Sequence, residues 1–301
     1  MNKKPFFSII VPTYNQGHFL KKNLESLFLQ SFKNFEIIVI DNYSNDSTKE
    51  IVNKYKKKIK YFKIKNNGII SKSRNFGLKK SKGEWIAFLD SDDYWTRNKL
   101  QVIFNFIKKK KFNVICNNEW KVVNYKKKKI AKYGPYNKKN FYKYLLLNGN
   151  CLSTSASVIE KKFLIKNKIF FKEKKSYITA EDYDFFLNIS LKKGVFYFLD
   201  DVLGYHTYHH NSASARSFRH YKSIVSVVKN HVFFLQKFTK NKKKLFKSLK
   251  IKYSYKLYLS LFLNKELNTI KFVIQILKNL FFYPTITLKL FFKVIFKFLN
   301  S

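Results

Sequence analysis

Arginine is the scarcest charged residue in this 301-residue chain, although the chain as a whole is strongly basic. Lys and Arg number 61 against 18 Asp and Glu, a formal net charge of +43, yet only four of the cations are Arg. Nucleic-acid readers rely on the Arg fork to bind base edges and phosphates. The excess of Lys accompanies many Asn, Ile, Phe and Tyr, which share its A/T-rich codons. We therefore predict that nucleic acid is not a partner and keep an anionic membrane surface as one.

Cysteines and long apolar runs are also scarce. The two cysteines, Cys116 and Cys151, form no CxxC pair, which excludes a disulfide framework or a zinc site and predicts reduced, buried thiols. No run approaches the roughly 20 apolar residues of a spanning helix. The apolar run 6–11 is too short for a signal peptide and leads into Pro-Thr-Tyr-Asn without a cleavage site. We expect a cytoplasmic protein, attached peripherally to the inner face of the membrane.

The first third of the chain alternates apolar runs with amphipathic segments. The predicted strands are 6–11, 36–40, 59–64, 85–89 and 112–116, and the predicted helices are 17–30, 47–55, 71–80 and 97–109. Such alternation with short connections predicts an α/β fold with a mostly parallel central sheet. In these sheets ligands bind at the carboxyl ends of the strands. The segments that follow strands one, two and four should therefore meet at one edge.

The periodicity weakens after residue 118. Lys126–Lys129 is interpreted as a solvated turn, 153–159 and 195–199 as strands, and 181–191 as a helix. After about residue 221 glycine disappears and lysine alternates with apolar residues at helical spacing. We predict a catalytic domain at 1–220 and a basic amphipathic helical region at 221–301.

Three aspartates follow the fourth strand. Asp90, Asp92 and Asp93 lie within four residues in a chain that has few acids. Clustered carboxylates are costly unless a cation neutralises them, and hard oxygen ligands suit Mn²⁺ or Mg²⁺ shared with a substrate's phosphates. A solvated acidic turn is the alternative, and we favour the metal or nucleotide site.

Polar segments after strands one and two are candidates for nucleotide contact. Pro12, Thr13, Tyr14 and Asn15 could stack on and hydrogen-bond to a base. Asp41 and Asn42 could reach the base or ribose, whereas Asp46 and Ser47 are interpreted as helix caps. Arg74 opens a predicted helix, where a cation is unfavourable unless an anion such as a diphosphate compensates it. An ordinary surface Arg is the alternative.

Two later clusters remain open. Glu181 and Asp182 begin a predicted helix, either as partners of its dipole or as a general base for an acceptor hydroxyl. His206, His209 and His210 lie within five residues, which suits phosphate contact or metal support as well as a structural role.

The motifs in this order resemble the family-two inverting glycosyltransferases of the GT-A fold. They are Pro-Thr-Tyr-Asn, an Asp-led loop, Arg-Asn-x-Gly, Leu-Asp-Ser-Asp-Asp-x-Trp, Glu-Asp-Tyr-Asp-Phe and a Tyr/His/Ser segment, over roughly residues 5–215. The resemblance implies that the protein transfers a sugar from a nucleotide-sugar donor to a glycan or lipid-linked acceptor in surface-polysaccharide synthesis. We expect the donor to be a UDP-sugar.

The resemblance also implies residue roles. Asp93, Asp92 and His209 would bind the cation, Asp182 beside Glu181 would be the base, and the nucleotide would contact Pro12, Thr13, Tyr14, Asn15, Asp41, Asn42, Arg74, Asp90 and Asp92. Asp41-Asn42 departs from the paired aspartates that members often carry, which leaves dTDP or GDP open as donor nucleotides. The alternative function is a catalytically silent protein that binds a nucleotide-sugar or a polyanion.

The C-terminal region carries a basic amphipathic pattern. Lys289, Lys293 and Lys297 recur every four residues beside apolar side chains, and 270–282 has a related pattern. Such helices can lie in a bilayer interface or pack on the catalytic domain with lysines facing water. We favour attachment to an anionic membrane surface.

Overall fold

The computed structural model describes residues 4–123, 126–134, 140–209 and 217–263, together with positions 274, 277, 284 and 288. The chain divides into two compact units. We call Met1–Lys175 with Glu181–His210 the N-terminal unit, and Ser176–Ala180 with Asn211–Ser301 the C-terminal unit. The predicted boundary between residues 220 and 221 falls inside a helix of the C-terminal unit.

The first half of the sheet is parallel, as its apolar runs predict. Its elements are β1 (Phe7–Thr13), α1 (Gly17–Phe28), β2 (Phe35–Asp41), α2 (Thr48–Tyr55), β3 (Lys60–Lys63), α3 (Ile70–Lys80) and β4 (Trp85–Phe88). β1 pairs in parallel with β2 and β4, and β2 pairs in parallel with β3. Every residue of β1 is buried, which is typical of a strand covered on both faces.

The second half of the sheet is mixed. It comprises β5 (Tyr94–Trp95), α4 (Lys99–Lys109), β6 (Val114–Val123), β7 (Lys126–Ala131), α5 (Phe141–Asn148), β8 (Ser157–Glu160), α6 (Lys161–Lys166), α7 (Glu181–Leu191) and β9 (Phe196–Tyr208). In the described part of the chain the order is β3-β2-β1-β4-β8-β6-β9-β5, with β7 paired to β6.

The direction of β8 decides where the site forms. β8 is antiparallel to both β4 and β6, and β6 is parallel to β9. β6 and β9 therefore run in the same direction as β1 and β4. Their carboxyl ends share one edge with those of the parallel half, and the predicted α/β fold class is confirmed.

Several boundaries in the second half differ from the predictions. Lys126–Lys129 was expected to be a solvated turn, but it belongs to the edge strand β7, whose pairing to β6 outweighs its weak strand propensity. β6 continues past Cys116 because Asn117, Asn118 and Glu119 are buried despite their polarity. β9 continues past Leu199 because it pairs with β6 again from Val202 to Tyr208, after register shifts opposite Asn117 and Asn118.

Shorter elements were also missed. β5, α5 and α6 have no prediction, and β8 is four residues long where 153–159 was expected. α7 has the predicted bounds. Cys116 and Cys151 are free thiols, and Cys116 is buried.

Two helices cover one face of the parallel half. Leu20, Leu24 and Leu27 of α1 and Leu100 and Ile103 of α4 are fully buried in the main hydrophobic cluster. The 3.6-residue period of these side chains gives each helix one apolar face toward the sheet. This packing holds the loops at the carboxyl edge against a rigid support.

The C-terminal unit is helical. It contains α8 (Ser217–Asn230), a π-helical turn at His231–Leu235 and α9 (Lys242–Leu263), and α8 packs against α9. Ser223 Oγ donates a 2.6 Å hydrogen bond to the Ile178 carbonyl, which ties 176–180 to α8. In the part of the chain that the structure describes, no helix is both long and apolar enough to span a bilayer. The lysines at 289, 293 and 297 and most of 270–282 lie outside the described residues.

Candidate active site

The loops after β1 and β2 are locked to each other. Asn15 has a left-handed φ of 49°, its backbone N–H donates to Ser44 Oγ at 2.9 Å, and its side-chain oxygen accepts from the Asn45 N–H at 2.9 Å. Tyr14 between them is 55% exposed. The lock presents the Tyr14 ring at the carboxyl edge, as its predicted base-stacking role requires, while Pro12 and Thr13 are buried within β1.

Asp41 holds its own loop together. The buried carboxylate accepts from Ser44 N at 3.0 Å through Oδ1 and from the Tyr61 hydroxyl at 2.6 Å through Oδ2. Burial and then the neighbouring Asp41 raise the pKa of Tyr61, so its proton stays in the bond. Both Asp41 oxygens therefore accept hydrogen bonds within the protein, and its contact with base or ribose stays a prediction.

Asn42 is oriented by a backbone donor. Its Oδ1 accepts from the Asn66 N–H at 2.8 Å. Because a backbone N–H can only donate, the Nδ2 donor of Asn42 must point away from that bond. The half-buried Asn42 thus offers an amide donor where Asp41 offers none.

Asp46 lies just before α2 and serves two helices. Its Oδ1 accepts from Thr48 N at 3.0 Å, and its Oδ2 accepts from Gly17 N at the start of α1 at 2.8 Å. Free N–H groups at both helix starts are thereby satisfied, which explains its capping role.

Arg74 joins two loops that are distant in sequence. Its guanidinium is buried in α3, donating to Asp90 Oδ1 at 2.7 Å and to Glu181 Oε1 at 2.8 Å. Its guanidinium carbon also lies 5.3 Å from the centre of the Phe171 ring. The anionic partners inferred for Arg74 are thus carboxylates of the protein. Arg74 brings the start of α7 beside the aspartate loop after β4.

Asp182 is the titratable group at that junction. Its Oδ2 accepts from Asn150 Nδ2 at 2.9 Å, and its side chain remains partly accessible. Burial and then the charge of Glu181 raise the pKa of Asp182 to about 7, although Arg74 opposes the shift. A carboxylate with a raised pKa at a loop junction can accept a proton near neutral pH.

The aspartate loop ends in two carboxylate–histidine pairs. Asp92 Oδ2 lies 3.0 Å from His209 Nε2, and Asp93 Oδ2 lies 3.2 Å from His206 Nδ1. Asp93 Oδ1 also accepts from the Thr207 N–H at 2.8 Å. The charge of Asp93 raises the pKa of His206, while burial raises the pKa of Asp93 itself. The buried contact between Asp93 and His206 therefore has the character of a structural ion pair.

The three predicted cation ligands are therefore split. Asp92 and His209 lie together with side chains 18% and 21% exposed, whereas Asp93 is buried and both its oxygens already accept hydrogen bonds. Among the described residues no group of three His, Cys, Asp or Glu side chains forms a ready metal site. A carboxylate and an imidazole nevertheless fit a cation whose other ligands are water and phosphate oxygens. Asp92 and His209 are accessible for such a cation, and the role of Asp93 as a ligand stays a prediction.

Several supporting residues carry no local sequence signal. Asn23 of α1 donates through Nδ2 to the carbonyls of Asp90 at 3.0 Å and Asp93 at 2.9 Å, which fixes both ends of the aspartate loop. Asn150 contacts Asp182 from a segment where the pattern predicts little. An isolated Asn is common in this chain, so only the fold reveals these two.

A further buried acid lies beneath the histidine pairs. Glu119 of β6 is fully buried and accepts from the Tyr133 hydroxyl at 2.9 Å, while its Oε1 has no hydrogen-bond partner among the described residues. Lys99 is equally buried, donates to the Ser155 carbonyl at 2.8 Å, and has its pKa lowered by burial to about 8. Opposite charges in this layer help to offset the cost of burying each other.

Comparison with known proteins points in one direction. The family model described as Glycosyl transferase family 2 matches residues 8–168. WfaP of Escherichia coli, named as a UDP-Glc:alpha-D-GlcNAc-diphosphoundecaprenol beta-1,3-glucosyltransferase, is 34% identical over 215 residues, covering 70% of this chain and 81% of WfaP. The crystal structure of S. aureus TarS 1-349 in complex with UDP superposes with a TM-score of 0.57 at 27% identity, covering 80% of this chain and 69% of TarS 1-349.

This chain matches only a small part of the length of several relatives. An uncharacterised glycosyltransferase of Rickettsia bellii is 42% identical over 107 residues, which cover 35% of this chain and only 15% of that protein. Two further rickettsial relatives are matched over 20% of their length. The TarS likeness confirms the predicted GT-A fold.

Proposed function

This chain belongs to glycosyl transferase family 2, and on that premise we propose that it transfers a sugar from a UDP-sugar to a hydroxyl of a glycan or lipid-linked acceptor, inverting the anomeric centre. The observation that carries the proposal is the buried Arg74, which binds Asp90 and Glu181 together. It sets a carboxylate with a raised pKa, Asp182, beside the aspartate loop. A donor site and a base are thereby adjacent.

The uridine nucleotide is supported by relatives and by the site. TarS is shown with UDP, and the name of WfaP specifies UDP-Glc. In this chain the exposed Tyr14 ring would stack on the base, and the Nδ2 donor of Asn42 would face a base carbonyl. Asp41 would act indirectly by holding the loop.

Asp92 and His209 would hold a divalent cation, Mn²⁺ or Mg²⁺, and the donor's diphosphate would supply further oxygen ligands. When bound, such a cation neutralises the charge that develops on the departing diphosphate. Asp93, bonded to His206 and Thr207, would support the loop that carries Asp92.

Asp182 would deprotonate the acceptor. As a carboxylate oxygen of Asp182 takes the hydroxyl proton, the acceptor oxygen forms a bond to the anomeric carbon from the face opposite the diphosphate. The bond from that carbon to the diphosphate oxygen breaks in the same displacement, so the configuration inverts. Asn150 and Glu181 orient the base.

The name of one relative supports a site of action at the membrane. WfaP acts on a diphosphoundecaprenol-linked sugar according to its name, and such a carrier is held in a membrane. We therefore place this chain in surface-polysaccharide synthesis, in the cytoplasm at the inner face of the membrane, with the basic C-terminal region as its contact.

The test is UDP release from a panel of UDP-sugars by the purified chain with and without Mn²⁺. We expect cation-dependent release, and we expect Asp182→Asn to lose about a thousandfold or more of it while still binding UDP. Asp201→Asn, an exposed aspartate of β9, is the matched control and should be unchanged. UDP binding without any turnover in the wild type would support the silent binding protein instead.

A further inference from the structure

Two lysines face each other on the hairpin formed by β6 and β7. Lys121 of β6 is directly opposite Lys129 in the antiparallel ladder. On its other side Lys121 is in register with His206 of the parallel strand β9. Residues in register share a face of the sheet, so His206, Lys121 and Lys129 form one row across three strands.

Among the described residues, the two lysines of this row have no carboxylate partner of their own. Like charges directly opposite each other destabilise a strand pair. Burial and then Lys129 lower the pKa of Lys121, which is the direction that an unbalanced neighbour produces. Within the described residues neither lysine lies within 4.0 Å of a carboxylate oxygen. A local rule broken without compensation is more typical of a functional site than of a scaffold.

Protection of a sheet edge does not explain Lys121. Lysines on edge strands prevent pairing with other chains, and this accounts for the exposed lysines of β7. Lys121, however, lies on an interior strand that is paired on both sides.

The opposite face of the hairpin is already occupied. Trp120 is in register with Tyr205, whose ring stacks on Tyr94 at 4.4 Å between centroids. Lys127 Nζ lies 5.3 Å from the centre of the Trp120 ring and 5.1 Å from that of Tyr205. Lys127 therefore has aromatic partners on that face, whereas Lys121 and Lys129 lie on the other face, with His206.

The row lies at the edge where the proposed reaction takes place. β6 runs parallel to β9, and Lys121 follows the buried Glu119 by two residues toward the carboxyl end. His206, at the near end of the row, contacts Asp93 of the aspartate loop. The cation proposed at Asp92 and His209 would already neutralise the donor's diphosphate, so an anion bound at the far end of the row would belong to the other substrate.

We propose that Lys121 and Lys129 bind a phosphate group of the acceptor, so that the acceptor is a phosphate-bearing glycan or lipid. Directly opposite residues on neighbouring strands have Cβ atoms about 5 Å apart. The ammonium groups of Lys121 and Lys129 can therefore bind one compact, doubly charged anion together. The phosphate is not a reacting group; it positions the acceptor hydroxyl near Asp182. This inference rests on the proposed function.

The test is calorimetric titration of the full chain saturated with UDP and Mn²⁺, so that the donor site is filled. The probes are decyl diphosphate, which represents a lipid-linked source, and a glycerol phosphate oligomer, which represents a polymer source. The variant is Lys121→Gln with Lys129→Gln, which removes charge but keeps most of each stem. The matched control is Lys128→Gln, an exposed lysine of the same strand.

We expect the wild type and Lys128→Gln to bind at least one probe, and the double variant to bind it about tenfold or more weakly. The probe that is bound identifies the source. The melting temperature of the double variant should not fall, because a repulsion has been removed; a merely structural pair would lower it.

Three results would overturn the inference. They are no binding of either probe by the wild type, equal binding by the double variant, and loss of UDP binding in the double variant, which would assign the lysines to the donor. UDP release by the wild type is measured separately, so a failure of the proposed transferase activity would be recognised independently.

Discussion

Four carboxylates of the N-terminal unit lie buried and paired, whereas the C-terminal unit carries lysines on helices with almost no acid. Asp41, Asp93, Glu119 and Glu181 are at most 6% exposed, and each accepts a hydrogen bond or ion pair within the N-terminal unit. After Asp201 the sequence contains a single acidic residue, Glu266, while lysines continue through α9.

The difference is one of energetic cost. A buried charge is expensive unless a partner compensates it, so removal of one partner leaves the other stranded. An exposed lysine costs little and contributes mainly to long-range attraction toward anions. Changes at these buried carboxylates or at their partners should therefore alter turnover and folding together, and changes in the C-terminal lysines should alter association alone.

The largest effect is expected at Arg74. Arg74→Ala leaves Glu181 buried without its cation, which should lower the free energy of unfolding by about 3–5 kcal/mol. The displaced Asp182 should cost about a hundredfold or more in turnover. Urea unfolding and UDP release measure the two effects.

The control for Arg74 is Arg97→Ala. The Arg97 side chain is exposed, so neither stability nor turnover should change appreciably. Normal stability and turnover in Arg74→Ala would remove the observation on which the proposed function rests.

The two histidine pairs should separate next. His209→Ala should raise the Mn²⁺ concentration for half-maximal turnover by about tenfold or more, because a proposed ligand is lost. His206→Ala should instead lower the melting temperature, because Asp93 is left buried without its partner. If only His206→Ala changed the Mn²⁺ requirement, the cation site would have to be assigned to Asp93 instead.

The pH dependence should follow Asp182. Only its deprotonated form can accept the hydroxyl proton, so turnover should rise with pH and level off above about 7, the pKa to which burial raises Asp182. Below that value the rate should fall about tenfold per pH unit. Turnover measured from pH 5 to 8 tests this, and a flat profile at saturating donor would exclude Asp182 as the base.

The smallest effect on turnover is expected from the C-terminal lysines. Replacing Lys289, Lys293 and Lys297 with Gln should leave UDP release unchanged but reduce co-sedimentation with anionic vesicles, since each lysine near an anionic leaflet contributes about 1 kcal/mol. The control replaces Lys243, Lys244 and Lys250 of α9, all exposed. Equal pelleting of both triple variants and the wild type would refute the membrane contact.

The parallel half of the sheet was predictable from local pattern. β1, β2 and β4 are buried and apolar over their central residues, so each is recognisable as a run without reference to its partners. Because the carboxyl ends of parallel strands lie at one edge of the sheet, Asp41 and Asp90 could be predicted to lie at that edge.

The other half was not predictable in the same way. Asn117 to Glu119 are polar and buried in β6, and four consecutive lysines form most of β7. These segments become strands because a neighbouring strand supplies their backbone partners, and a neighbour is a tertiary fact. Local propensity alone describes them as loop.

Apolar periodicity and motif order are local properties of the chain, so they were sufficient to predict the fold class, the family and the candidate site residues. The pairing of those residues depends on the folded chain: Arg74 with Asp90 and Glu181, Asp92 with His209, and Asp93 with His206. Most of these pairs join residues that are far apart in sequence. The packing of β5, β6 and β9 decides which carboxylate is buried in an ion pair and which remains accessible. No local sequence pattern predicts that packing.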